Sequence, residues 1–260
     1  MCESSASAEA SSSGERVATE APRPAFYALA SGGWRDYVTL LHLPYTAWHV
    51  SYVAIGAALA PGLTVGRLWP ALVAFFLAVG IGAHALDELN GRPLRTEIPR
   101  AALAVLALAS ISGAAAVGAV GAATVDPWIG AFVAVGVFLV VAYNLELLGG
   151  RVHGDVWFAL AWGAFPLLTG YFAVARELTW TAALGGIFAF ALSLAQRRLS
   201  TQVRDVRRRV VRVAGTIERR DGSLEPVSVD TFIAAKEAAL RALAGATVAL
   251  AVALVVMRLS

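Results

Sequence analysis

Seven apolar runs divide this chain, at about 38–60, 68–87, 99–121, 127–148, 154–175, 178–198 and 232–257. Each is near the ~20 residues that a helix needs to cross a bilayer. The pattern therefore predicts an all-α fold, a polytopic membrane bundle of about seven transmembrane helices. Breaks fall at Pro61-Gly62, Gly91 to Pro99, Asp126-Pro127, Gly149-Gly150, Arg176-Glu177 and a long polar stretch, 199–231. In the third run Ala114, Gly118 and Ala122 recur at four-residue spacing, which favours close helix packing.

The polar segments set the remaining organisation. Residues 1–33 form a Ser/Ala/Glu-rich stretch that lacks the apolar core of a signal peptide and reads as a disordered cytoplasmic tail. Trp34, Arg35 and Tyr37 follow as interfacial anchors. Residues 34–198 make the bundle, 199–231 a basic cytoplasmic loop or small subdomain, and 232–260 the final helix. Within 199–231, residues 200–213 are basic and partly amphipathic and suit a helix lying on the membrane surface. Val210 to Glu218 and Leu224 to Val229 also suit two strands joined by the Asp221-Gly222 turn. A short helix followed by a small hairpin is the favoured reading, with Asp230 capping the last helix.

Composition agrees with a membrane protein: 58% of residues are hydrophobic and 15% charged, with mean hydropathy +0.67. A soluble domain is roughly half apolar and about a quarter charged. The single cysteine, Cys2, excludes an internal disulfide. Twenty of the 21 basic residues are arginine, and their distribution sets orientation. Arg16, Arg23, Arg35, Arg92, Arg95, Arg100, Arg151 and the run from Arg197 to Arg220 fall on one set of loops. Only Arg67, Arg176 and Arg258 fall on the other. The positive-inside rule then places the N-terminus in the cytoplasm, with the plasma membrane as the expected location and the C-terminus outside. The basic stretch lies between membrane helices, which argues against nucleic acid as a partner.

Candidate chemistry gathers at the cytoplasmic ends. His84 lies one helical turn from Asp87 and Glu88, so the three can share a face. An ionised side chain at bilayer depth costs at least ~2.5–3.5 kcal/mol, so this cluster is either compensated there or already at the headgroups. His42, Tyr45, Trp48, His49 and Tyr52 form a polar-aromatic stripe, suited to lining a cavity or to helix packing. Glu146, His153 and Asp155 offer oxygen and imidazole groups near one turn, although Asp155 at a helix start also suits simple capping. Arg197 and Arg198 suit lipid headgroups or a diphosphate, which a guanidinium grips in bidentate fashion. No phosphate-binding glycine loop, zinc-binding histidine pair or nucleophile elbow is present.

The stretch from His84 through Asp87, Glu88 and Asn90 to Arg92-Pro93-Leu94 resembles the acidic motif at the end of the second helix in the UbiA-type intramembrane prenyltransferase superfamily. Tyr143-Asn144, Gly154 and Trp162-Gly163-Ala164-Phe165-Pro166-Leu167-Leu168 are similar to that family's middle section, and the resemblance covers about residues 35–205. It implies a UbiA-like fold and transfer of an isoprenoid chain from a polyprenyl diphosphate at a cytoplasm-facing cavity. Asp87, Glu88 and His84 would be catalytic. Asp87, Glu88, Glu146 and Asp155 would hold Mg²⁺. Asn90, Arg92, Tyr143, Asn144, Arg151, Arg197, Arg198, His42, Tyr45 and His49 would bind the isoprenoid diphosphate or another lipid. The chain departs from the family where a second aspartate is usual: Gly91 stands four residues after Asp87, and Gln196, Arg197, Arg198 and Arg204 occupy the place of the second acidic motif. The alternative expectation is a non-catalytic UbiA-like scaffold that binds or moves an isoprenoid lipid. A third is a metal-independent enzyme with His84 and Asp87 as an acid–base pair.

Overall fold

The computed structural model describes residues 23–260. It holds eight helices: α1 (Trp34–Leu40), α2 (Leu43–Leu59), α3 (Val65–Leu89), α4 (Arg100–Thr124), α5 (Ile129–Asn144), α6 (Asp155–Ala175), α7 (Trp180–Arg209) and α8 (Val229–Leu259). Four of them, α3, α4, α6 and α8, are long and apolar enough to cross a membrane. Their outward faces carry large apolar side chains in the open, such as Val105 and Leu108 on α4. Water would not favour such a surface, and lipid does. The chain is an all-α integral membrane protein.

Helix α2 occupies the centre and packs against α6 and α8. Trp48, Tyr52 and Ile55 of α2 bury themselves with Leu167 and Tyr171 of α6 and Ala244 and Ala251 of α8. Two glycines bring α2 and α6 together at backbone distance. A Cβ on Gly56 would lie 2.0 Å from the Leu167 carbonyl oxygen, and one on Gly170 would lie 2.2 Å from that of Val53. Small residues allow this approach where lipid gives helices no hydrophobic drive to associate. A second core joins α3, α4 and α5 through Val79, Leu86, Leu103, Ala107, Val140 and Tyr143.

Two spanning helices are not uniform. Phe76–Ala83 in α3 and Leu160–Ala164 in α6 adopt the wider π-type turn. Such turns release carbonyls from the regular ladder and recur at functional sites. Nothing in the hydrophobic pattern marks them.

The basic stretch differs from its expected form. It does not lie on the surface as a separate helix: α7 runs unbroken from Trp180 to Arg209. Its 30 residues span ~45 Å at ~1.5 Å per residue, and its last turns carry the basic side chains. Val203 and Val206 pack there on Ile233 and Leu240 of α8. The hairpin is present, with β1 (Thr216–Glu218) antiparallel to β2 (Leu224–Pro226) around Asp221-Gly222. Ser228, not Asp230, caps α8, exchanging hydrogen bonds with Thr231 in a capping box. Asp230 sits in the first turn.

The expected tail lies outside the described residues up to position 22. Residues 23–33 are not a loose continuation of it. Ala25 and Ala28 are buried against Leu94, the Leu29 N–H donates to Thr39 Oγ1, and Tyr27 packs on the rings of His42 and Tyr45.

On the opposite side of the bundle, the few arginines act as helix caps. Arg67 donates to the Val174 carbonyl near the end of α6, and Arg258 donates to the Ala60 carbonyl just past α2. Cations suit helix C-termini, where carbonyls are left unpaired.

Candidate functional site

A chamber of about 400 Å³ opens where α2, α3, α5, α6 and α7 end together. Its wall holds ten of the residues singled out in the sequence: His42, Tyr45, His49, His84, Asp87, Asn90, Tyr143, Asn144, Glu146 and Arg197. All four histidines of the chain line it, His153 being the fourth. Beside it runs an apolar groove of about 600 Å³ between α3, α4, α5 and α6. Val79 and Trp162 line both spaces. Each of those two residues lies on a π-type turn, so the irregular turns build the neck between chamber and groove.

The π-type turns also fix the imidazoles. His84 Nδ1 lies 3.1 Å from the Gly80 carbonyl, and His49 Nδ1 lies 2.7 Å from the Trp162 carbonyl. A nitrogen facing a carbonyl must carry the proton, which leaves Nε2 with the lone pair in the neutral ring. His153 repeats the arrangement on the Tyr143 carbonyl at 2.9 Å. His42 stacks on His84 with ring centroids 3.9 Å apart. It reaches that place because the backbone turns through the left-handed region at His42 (φ 46°), between α1 and α2. Asn90 closes one rim by donating to the Asn144 carbonyl, joining the ends of α3 and α5.

Five of the expected site residues lie outside the chamber wall. Glu88 is fully buried and points into the 90–99 loop. Its carboxylate accepts from the Leu94 N–H, the Thr96 N–H and the Thr96 hydroxyl. Arg92 clamps the same loop by donating to the Thr96 and Ile98 carbonyls. Asp155 faces solvent and pairs with Arg197 at 3.4 Å. Arg151 and Arg198 are exposed. The four acids expected to hold Mg²⁺ thus do not converge. Asp87 lines the chamber, Glu146 stands exposed at its mouth 4.0 Å from His153, and Glu88 and Asp155 are committed elsewhere. Among the described residues, no three His, Cys, Asp or Glu side chains are grouped so as to hold a metal ion. The donor set does not fit a protein-built Mg²⁺ site.

What the sequence singled out less clearly is the wall made by α7. Gln196, Ser200, Arg204 and Arg208 recur every four residues, so one helix face points into the chamber. Both arginines lie past the apolar part of α7. Burial pushes their guanidinium pKa values down from the ordinary level, and for Arg204 the nearby Arg197 and Arg208 charges add to the effect. The signal was the four-residue spacing, readable only if α7 continues beyond residue 198. Chemically the chamber offers guanidinium donors, amides, aromatic rings and one inward carboxylate, next to an apolar groove. Comparison of the chain with protein-family models, curated proteins and solved structures finds no match among any of them.

Proposed function

We propose that this protein is a divergent UbiA-like membrane prenyltransferase acting on a polyprenyl diphosphate, with seven crossings and a cytoplasmic N-terminus. The observation that carries the reading is the join at Val79 and Trp162 between a polar, arginine-lined chamber and an apolar groove. An amphiphile with an anionic head and a branched apolar tail matches the two spaces together. In this reading the tail enters the groove and the head meets Arg197, Arg204 and Arg208. Those charges are preorganised to stabilise diphosphate as the allylic C–O bond breaks. The rings of Tyr143, Phe158 and Trp162 line the chamber, and ring faces attract the allylic cation left behind. Burial of that end of the chamber among aromatic rings limits water, the competing acceptor.

The deciding experiment supplies the protein, reconstituted in bilayer discs, with prenyl diphosphates of short to long chain and a set of aromatic and isoprenoid acceptors. Mg²⁺ is present in one series and chelated in the other. Prenylated product with stoichiometric diphosphate is the expected result. A folded protein that gives no product from any pair would sink the transferase reading.

The second reading is a scaffold that binds or moves an isoprenoid lipid without chemistry. It is favoured by the commitment of Glu88 and Asp155 to other contacts. In that case Asp87→Asn leaves lipid binding nearly unchanged with or without Mg²⁺, and a large Mg²⁺-dependent loss of binding excludes it.

A further inference from the structure

Among the described residues only three buried side-chain polar atoms lack a hydrogen-bond partner: Tyr143 Oη, Gln196 Oε1 and Arg208 Nε. All three belong to residues that line the chamber. Orphaned buried polar atoms are few in folded proteins, and each one needs an explanation. Gln196 is 2% exposed and Tyr143 5%, so these atoms face the chamber rather than the outer surface.

Of the six arginines of α7, Arg198 is exposed and the other five divide into two sets. Arg197, Arg207 and Arg209 pair with Asp155, Glu237 and Asp205. Arg204 and Arg208 face the chamber and have no ion-pair partner among the described residues. Arg204 makes one hydrogen bond, to the Thr201 hydroxyl at 3.2 Å. Two like charges one turn apart repel, and half-burying them weakens their hydration. The Asp87 carboxylate across the chamber makes no ion pair with either. The wall therefore presents two forked donors, a free phenol and an amide to a space whose inward carboxylate, Asp87, pairs with neither fork.

We propose that Arg204 and Arg208 bind the phosphate or diphosphate head of a single-tailed amphiphile directly, with no divalent cation between protein and head. A guanidinium fork matches two phosphate oxygens at once. Tyr143 Oη and Arg208 Nε supply further donors, and Gln196 turns its amide N–H groups to the head when its carbonyl has no donor to accept. The tail leaves past Val79 and Trp162 into the groove. This rests on the chamber being the ligand site of the proposed function, but not on any turnover there.

The test measures binding of farnesyl diphosphate, and of inorganic pyrophosphate as its competitor, to the full chain in phosphatidylcholine discs. One arm contains EDTA and one contains Mg²⁺. Binding in EDTA is expected within about threefold of that in Mg²⁺, with pyrophosphate competing. The double variant Arg204→Gln/Arg208→Gln should weaken binding at least about tenfold, which is ~1.4 kcal/mol. The pair of lysine substitutions at the same positions should fall between, because charge remains and the fork is lost. Arg212→Gln, on the exposed end beyond α7, should bind as the unaltered protein does. Thermal unfolding confirms that each variant is folded, and the two metal arms need no variant at all. Binding that vanishes in EDTA and returns with Mg²⁺ would overturn the proposal, as would undiminished binding by the glutamine pair. So would displacement by phosphatidylglycerol in the disc but not by pyrophosphate. Failure to form prenylated product while binding persists in EDTA ends the transferase reading and leaves this one standing.

Discussion

Asp87 and Glu88 are neighbours in sequence with separate tasks. Successive residues on a helix point about 100° apart, so the pair cannot share one small ion as readily as residues three or four apart. Asp87 faces the chamber, while Glu88 holds the 90–99 loop through three hydrogen bonds. Replacing Glu88 by Ala strands two backbone N–H groups in a buried place, at about 1–3 kcal/mol each. The expected outcome is a clearly lower unfolding temperature in detergent and faster proteolysis between residues 90 and 99. Asp87→Asn should leave both nearly unchanged, within about 0.5 kcal/mol. Equal effects from the two substitutions would contradict the division of labour. The sequence put both acids in the right place on α3. It did not separate them, because the partners of Glu88 are mostly backbone groups of a loop whose course no residue pattern announces. The same holds for His49 and His84, whose tethering carbonyls belong to π-type turns.

At the scale of elements, the α7 extension shows what a charge run conceals. Residues 200–213 read as basic and partly amphipathic, suited to a membrane surface; in the structure the apolar side of that stretch is Val203 and Val206. Its partner was not lipid but the first turns of α8, fixed by Arg207 and Glu237 at 2.5 Å. That pair is largely buried, so removing one member should cost about 3–5 kcal/mol, whereas replacing both with apolar residues of similar size is often neutral. Arg207→Met should therefore destabilise strongly, and the Arg207→Met/Glu237→Met pair should recover most of the loss in thermal melts. The crossing of α2 and α6 makes a sharper demand. Gly170→Ala drives a methyl group into the Val53 carbonyl, and overpacking of this kind costs typically ~1–3 kcal/mol. Loss of folded yield should exceed that for Gly245→Ala on α8, where a Cβ meets open space. The apolar runs marked where helices lie; which glycines touch backbone depends on pairings between distant segments, and single-segment periodicity carries no such information.

For the whole molecule, arginine placement yields a testable orientation. Ser223 in the hairpin and Asp126 between α4 and α5 should label from opposite sides of the membrane when each carries the only cysteine, in a Cys2→Ser background. Labelling of both from one side would contradict the proposed seven crossings. The hydrophobic pattern located the four helices long and apolar enough to cross a membrane, because bilayer thickness imposes length and apolarity on each such segment separately, but it joined α1 and α2 in one run, 38–60, that the structure breaks at His42. It could not reveal that α2, a run of only 17 residues carrying His49, Ser51 and Tyr52, would be the hub.

That hub sets a timetable for biogenesis. Helix α2 packs on α8, and the carbonyl of Ala60 just past its end is claimed by Arg258, 198 residues later. At ~5–20 residues per second, about 200 further residues take on the order of 10–40 s to emerge. Throughout that interval a short, partly polar helix waits without its partners. Ribosome-stalled chains ending before α8 should therefore be held by insertion machinery or degraded, and synthesis of α8 is the step that completes the packing of α2.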